Sequence, residues 1–267
     1  VGGAGSGRRA LLSKVPEITV SFWVTKILTT AMGEATSDYA VYHMNRYLAV
    51  VAATALLAVT LVAQLAARRY VAWVYWLVVV MVAVFGTMVA DAVHIVLGVP
   101  YVVSTPAFAI ILAAVFVAWF LCERDLSIHH IRTTRREMFY WATVLATFAL
   151  GTAAGDMTAT SLHLGYLVSA VVFGALFALP LVGRAVLGWN EVFAFWFAYV
   201  MTRPFGASVA DFLGMSPRVG GLGIDKLYVS AVLTACIAAF VVVLTRSRVD
   251  VQAEPDGAPA PRGAARR

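Results

Sequence analysis

The chain is predicted to be an all-α, polytopic membrane protein: eight transmembrane helices forming four tandem two-helix repeats in two pseudo-symmetric halves. Three observations carry that prediction. The 267 residues are 61% hydrophobic and only 13% charged, where a soluble domain carries about 25% charged residues. The apolar residues fall in blocks of about 20 between short polar joints, the length that crosses a hydrocarbon core of about 30 Å. A motif built on tryptophan, glycine and aspartate occurs four times.

Eight spans follow in order, at 17–39, 46–66, 71–97, 101–121, 138–160, 163–183, 190–213 and 227–246. The first is the most polar, because Lys26, Glu34 and Asp38 lie inside it. Each such charge costs about 2.5–3.5 kcal/mol at a bilayer centre, so these side chains require a polar interior. The third, fifth and seventh spans carry Asp91, Asp156, and the pair Arg203 and Asp211. The even-numbered spans are plainer apolar partners.

The joints alternate in charge. One side collects the N-terminus, "AARRY", "CERDLSIHHIRTTRRE", "VGR" and the C-terminal arginines; the other collects "VYHMNR", "GVP", "SLHLG" and "MSPRVGGLGIDK". The positive-inside rule then puts both termini in the cytoplasm. The net charge of +6 reports this orientation, and no nucleic-acid partner is expected. The domain division is a disordered N-terminus (1–14), a first half with repeats 1 and 2 (15–121) and a cytoplasmic linker (122–137). A second half with repeats 3 and 4 (138–249) and a disordered basic tail (250–267) complete it. The N-terminus lacks a signal-peptide pattern, since Lys26 and Glu34 interrupt the apolar run. Cys122 and Cys236 have no CxxC spacing and are expected to be small core residues.

The repeat explains the charges. Trp23, Trp76, Trp141 and Trp196 each follow an aromatic residue. Ten residues after them come Gly33, Gly86, Gly151 and Gly206, and fifteen after, Asp38, Asp91, Asp156 and Asp211. Each unit crosses twice, so the motif helices run parallel. Fifteen residues of helix rise about 22 Å, which puts each tryptophan near the cytoplasmic headgroups and its aspartate in the outer half. Offsets 0, 7, 11 and 15 share one helix face, including Thr30, Glu34 and Asp38 in the first copy and Arg203 and Asp211 in the last. The glycine lies around the helix from the aspartate, where it permits close packing.

"FWVTKILTTAMGEATSDY" with its three degenerate copies resembles a bacterial membrane-protein family described as carrying a repeat of unknown function, an "uncharacterised membrane-anchored protein". In that family an aromatic-Trp start leads to Gly-Glu-Ala-x-x-Asp. The resemblance covers residues 16–246, and only the first copy keeps Lys26 and Glu34. Val79 and Thr87, Val144 and Thr152, and Tyr199 and Ala207 replace them in the others. The resemblance implies an integral protein of the bacterial inner (cytoplasmic) membrane and no settled activity.

The chemistry is read from the residues. Glu34, Asp38, Asp91, Asp156 and Asp211 are the expected ion-binding set, with Thr30, Thr87, Thr152 and His94 in support. Lys26 and Arg203 serve as counter-ions or substrate contacts. Carboxylates and hydroxyls form a hard-oxygen ligand set suited to Mn²⁺, Mg²⁺ or Ca²⁺, with Glu34, Asp38 and Asp156 as the metal ligands. The expectation is a secondary transporter or exporter of a small cation, a divalent metal such as Mn²⁺, coupled to protons carried by the same carboxylates. The alternative is a membrane scaffold whose polar interior only fixes helix packing. No enzyme is expected, because GxSxG, HExxH and nucleophile–base pairs are missing, and no resident cofactor. The expected partners are the lipid bilayer, the cation and the proton, with a homodimer if two chains complete the motif.

Overall fold

The computed structural model describes residues 13–252, so most of both predicted tails lies outside the described residues. Eight long helices follow one another: α1 (Val20–His43), α2 (Arg46–Ala66), α3 (Ala72–Asp91), α4 (Tyr101–Glu123), α5 (Thr134–Asp156), α6 (Gly165–Leu187), α7 (Glu191–Gly214) and α8 (Lys226–Ser247). Among the described residues there is no β-strand. Five starts have a side-chain cap: Thr19, Asn45, Thr133, Asn190 and Asp225 each accept a hydrogen bond from a first-turn N–H. A wider π-helical turn continues α3 over Ala92–Val96 and α5 over Met157–Ser161, each directly after a repeat aspartate.

Six helices, α2, α3, α4, α5, α6 and α8, are long and apolar enough to cross a membrane. The other two, α1 and α7, hold Lys26, Glu34 and Asp38, and Arg203 and Asp211. They are enclosed by the rest. The odd-numbered helices close a ring in which α1 packs on α3, α3 on α5, α5 on α7, and α7 on α1. The even-numbered helices lie outside, each against the motif helix of the next repeat: α2 on α3, α4 on α5, α6 on α7 and α8 back on α1. Thirteen of the 20 residues of α3 are buried, against four of the 23 in α4. The outer helices thus present Val, Leu and Ile outward, as a lipid-facing surface does.

Each ring contact is notched by a repeat glycine. A Cβ on Gly33 would strike Ala83, on Gly86 it would strike Phe148, on Gly151 Arg203, and on Gly206 Thr30. All four struck residues stand seven places after the next repeat's tryptophan. One contact therefore recurs around the ring, and it fixes the helices at the same relative height.

At the end where the motif helices begin, the ring is filled by aromatic rings. Phe22, Tyr75, Tyr140 and Phe195 pack there with Trp76, Trp141, Trp196 and Trp119 in one core. This corrects the expectation of headgroup-level tryptophans, since Trp76 is 1%, Trp141 3% and Trp196 5% exposed. The cause is the width of a four-helix interior, which large rings fill. Two more expectations change. Cys122 and Cys236 are exposed on the outer helices instead of lying in the core. Lys14 and Asp250, assigned to the tails, belong to the closed end. The Lys14 ammonium donates to Glu137 Oε2 at 2.7 Å and to the Leu65 carbonyl at 3.0 Å. Gln64 donates to the other Glu137 oxygen at 2.8 Å, and Asp250 accepts from the Tyr70 hydroxyl. Composition marks such stretches as tails because their buried partners lie far away in sequence.

Candidate intramembrane acidic cavity

The motif offsets become layers along the ring. Closest to the aromatic floor, offset 3 supplies Lys26, Val79, Val144 and Tyr199. Offset 7 supplies Thr30, Ala83, Phe148 and Arg203; offset 11, Glu34, Thr87, Thr152 and Ala207; and offset 15, the four aspartates. Equal offsets meet because the glycine notches hold the helices in register.

The upper layers enclose one cavity of about 350 Å³. Glu34, Asp38, Asp91, Asp156 and Asp211 all line it, together with His94, Tyr101 and Tyr166. Exposed Tyr42, Ile95 and Thr160 mark its mouth at the C-terminal ends of the motif helices. The π-helical turns after Asp91 and Asp156 turn His94, Ile95 and Thr160 toward it. A single chain brings the four aspartates together, so no second copy is needed to assemble the cavity.

Arg203 forms the floor. Its Nη2 donates to Glu34 Oε2 at 2.6 Å, to Thr152 Oγ1 at 2.5 Å and to Thr87 Oγ1, and its Nη1 donates to the Thr30 carbonyl at 3.4 Å. All four inner helices thus meet at one guanidinium. Arg203 and Glu34 are 0% and 3% exposed at the side chain, and such a pair holds only while both partners remain. Thr30 closes the α1–α7 contact, its hydroxyl donating to the Thr202 carbonyl at 3.2 Å.

Lys226, which sequence reasoning missed, caps the other side. It opens α8, pairs with Asp38, and lies 3.9 Å from Asp211 Oδ1. A lysine in a joint otherwise poor in basic residues, facing four aspartates, is the signal that could have found it. Tyr101 and Tyr166 were also missed. Tyr101 stacks on His94 with centroids 3.8 Å apart, and His94 Nδ1 lies 2.9 Å from the Val99 carbonyl oxygen. His94 therefore lines the cavity through its ring while one nitrogen is engaged by the backbone.

Two sequence expectations are redrawn by this geometry. Lys26 does not pair with the carboxylates: its Nζ has no hydrogen-bond partner among the described residues and lies 4.1 Å from the Phe148 ring centroid and 4.2 Å from that of Tyr199. Glu34, Asp38 and Asp211 can offer oxygens all within 4.8 Å of one another, the spread one coordinated cation needs. Asp156 lines the cavity outside that trio. The reason is the ring order: α7, which carries Asp211, adjoins α1, whereas α5 lies across from it. Five carboxyl groups thus face only two basic side chains, Arg203 and Lys226.

A family model described as Repeat of Unknown Function (DUF347) matches the chain four times, over residues 21–70, 74–125, 139–186 and 194–250. Each matched segment holds one inner helix and the outer helix that follows it. No curated protein and no solved structure matches.

Proposed function

The chain belongs to this repeat family, and we propose that it is a secondary transporter that exports a small divalent cation such as Mn²⁺ through the acidic cavity, in exchange for protons. In this reading all eight helices span the bacterial inner membrane. Six are apolar enough alone, while α1 and α7 are carried inside the ring, where their charges meet one another instead of lipid. Basic joints support cytoplasmic termini, and in that orientation the cavity opens to the opposite side and the aromatic floor closes the cytoplasmic one.

The observation that carries the proposal is the convergence of Glu34 and all four repeat aspartates on one cavity. Packing alone does not require it, since serine and threonine join helices at lower cost. Three clustered carboxylates suit an oxygen-seeking cation, and Lys226 is the tethered charge such an ion displaces. Protons taken up by the emptied carboxylates would supply the countercharge. A scaffold reading has one observation in its favour, the Arg203 network that ties the four inner helices together. That network lies below the aspartates and leaves Asp91 and Asp156 unexplained.

The test is flux into proteoliposomes, screening Mn²⁺, Mg²⁺, Ca²⁺, Zn²⁺ and Ni²⁺ with an internal pH dye, beside Asp38→Asn and Asp156→Asn. Saturable flux with proton counterflow, lost in variants that melt like the parent, is the expected result. No flux of any ion, with variants that are merely less stable, favours the scaffold.

A further inference from the structure

Lys26 is the one ionisable side chain in the ring that neither the cavity nor the packing accounts for. It is 1% exposed, and its Nζ has no hydrogen-bond partner among the described residues. Two aromatic faces offset only part of the cost of enclosing an ion. The fold does not need a charge at this position, because the same offset is Val79 in the second repeat and Val144 in the third.

What surrounds Lys26 is a column of further polar groups. Toward the cavity, the Arg203 guanidinium lies 5.2 Å from the ring of Phe148, the ring Lys26 also contacts. Toward the closed end, the Tyr199 hydroxyl, also without a close partner, faces the hydroxyls of Tyr75 and Tyr140, which lie 2.5 Å from one another. The Tyr70 ring meets that of Tyr75 edge-on at 5.7 Å, and its hydroxyl bonds Asp250. Asp250 and Tyr70 line a cavity of about 180 Å³ at the closed end, beside exposed Arg69 and Arg248. Among the described residues no other charge intervenes: α8 has only Cys236 as an ionisable residue between Tyr228 and Arg246, and α2 has none between Tyr47 and Ala66.

We propose that Lys26 couples proton movement to the cation site. Its amine takes up a proton from the Asp250 end, along the hydroxyls of Tyr70, Tyr75, Tyr140 and Tyr199, and returns it to that end; while the proton is held, the ammonium repels the Arg203 guanidinium from Glu34. Each hydroxyl accepts one proton and passes on its own, so the tyrosines stay neutral and a single positive charge moves. At Asp250, burial pushes the carboxyl above its usual range although the Tyr70 bond opposes this, which suits a group that trades protons with the medium. Arg203 keeps its proton throughout. It responds by position, and Glu34 becomes free to accept a cation. The inference rests on the cation-site reading.

The chain has only three lysines, Lys14, Lys26 and Lys226, so ¹⁵Nζ-lysine NMR of the full-length protein gives three signals, assigned by Lys→Arg variants. The Lys26 signal is expected to switch between amine and ammonium as pH is varied, and Tyr199→Phe to slow that exchange. A signal that stays in one form at every pH overturns the proposal. In proteoliposomes, Lys26→Arg keeps the charge but cannot cycle a proton, and Lys26→Met removes both. Lys26→Arg should bind Mn²⁺ at least as tightly as the parent, and Lys26→Met about tenfold more weakly. Equal Mn²⁺ binding in Lys26→Arg and Lys26→Met contradicts the role of Lys26 alone. A parent protein that neither binds nor moves Mn²⁺ contradicts the cation-site reading, with the NMR signal still deciding whether Lys26 exchanges its proton.

Discussion

The two ends of the inner ring are built from the same four helices and obey different rules. At the closed end the repeats have diverged into a filled interior, with two phenylalanines and two tyrosines before the tryptophans, then Lys26, two valines and Tyr199. At the open end the outermost layer has not diverged at all: an aspartate stands there in every repeat, around a cavity of about 350 Å³. Between them, Arg203, Glu34, Thr87 and Thr152 share one network, to which α7 gives a guanidinium, α1 a carboxylate and α3 and α5 a hydroxyl each. Packing tolerates such division of labour, because only the sum of the four side chains must fit. Four identical acids facing one space do not follow from packing, and the cation-site proposal rests on them.

The middle layer should break most severely. Arg203→Met leaves Glu34 buried without its partner, a loss of about 3–5 kcal/mol, so the protein should melt far lower in detergent. Adding Glu34→Gln should recover part of that loss, and an unchanged melt in Arg203→Met would show that the pair is not what holds the ring. The notches come next. Gly206→Ala drives a methyl into Thr30 and should cost about 1–3 kcal/mol. Gly155→Ala, whose Cβ would find its nearest neighbour at 3.5 Å, should stay within about 0.5 kcal/mol. Equal effects would mean that the repeated close approach is not what sets the helix register.

At the open end the order reverses, with stability nearly untouched and binding changed. Asp91→Asn should preserve the melt and weaken Mn²⁺ binding about tenfold, measured by calorimetry. Lys226→Met should strengthen it, because the ion no longer displaces a tethered ammonium; weaker binding would make Lys226 part of the ligand environment instead of its competitor. The smallest effect belongs to the joint outside the ring. Burial pushes the Asp125 carboxyl up, but the Ser127 N–H, His130 and Arg136 outweigh it and hold it below the usual carboxylate range. A carboxyl held low stabilises the fold above its unfolded value and ceases to do so as pH falls through its folded one. Hydrogen exchange over residues 124–133 should therefore quicken only below about pH 4, and Asp125→Asn should show the faster exchange at neutral pH.

The part of this molecule visible in the sequence is the part that is periodic. Apolar blocks located all eight helices, and the Trp–Gly–Asp spacing grouped the residues that share a layer. Glu34 and Arg203 stood out because a charge inside an apolar block needs a reason. What stayed hidden depends on which helix adjoins which. That Asp211 joins Glu34 and Asp38 while Asp156 lies apart follows from ring order, which no spacing along the chain encodes. Lys226 comes from an outer helix that packs on the first repeat only because the ring closes. The buried tryptophans show the same thing: an indole at a span end suits a headgroup layer or a wide interior equally, until the neighbouring helices are placed.

Equilibrium binding of Mn²⁺ to the purified protein, with the Asp38→Asn/Asp211→Asn double variant alongside, addresses the acidic cavity most directly. One ion per chain, lost in a double variant that melts like the parent, is expected if the open end is a cation site. Binding that survives in the double variant would place any ion elsewhere. No binding by the parent would mean that the four aspartates serve something other than a divalent cation.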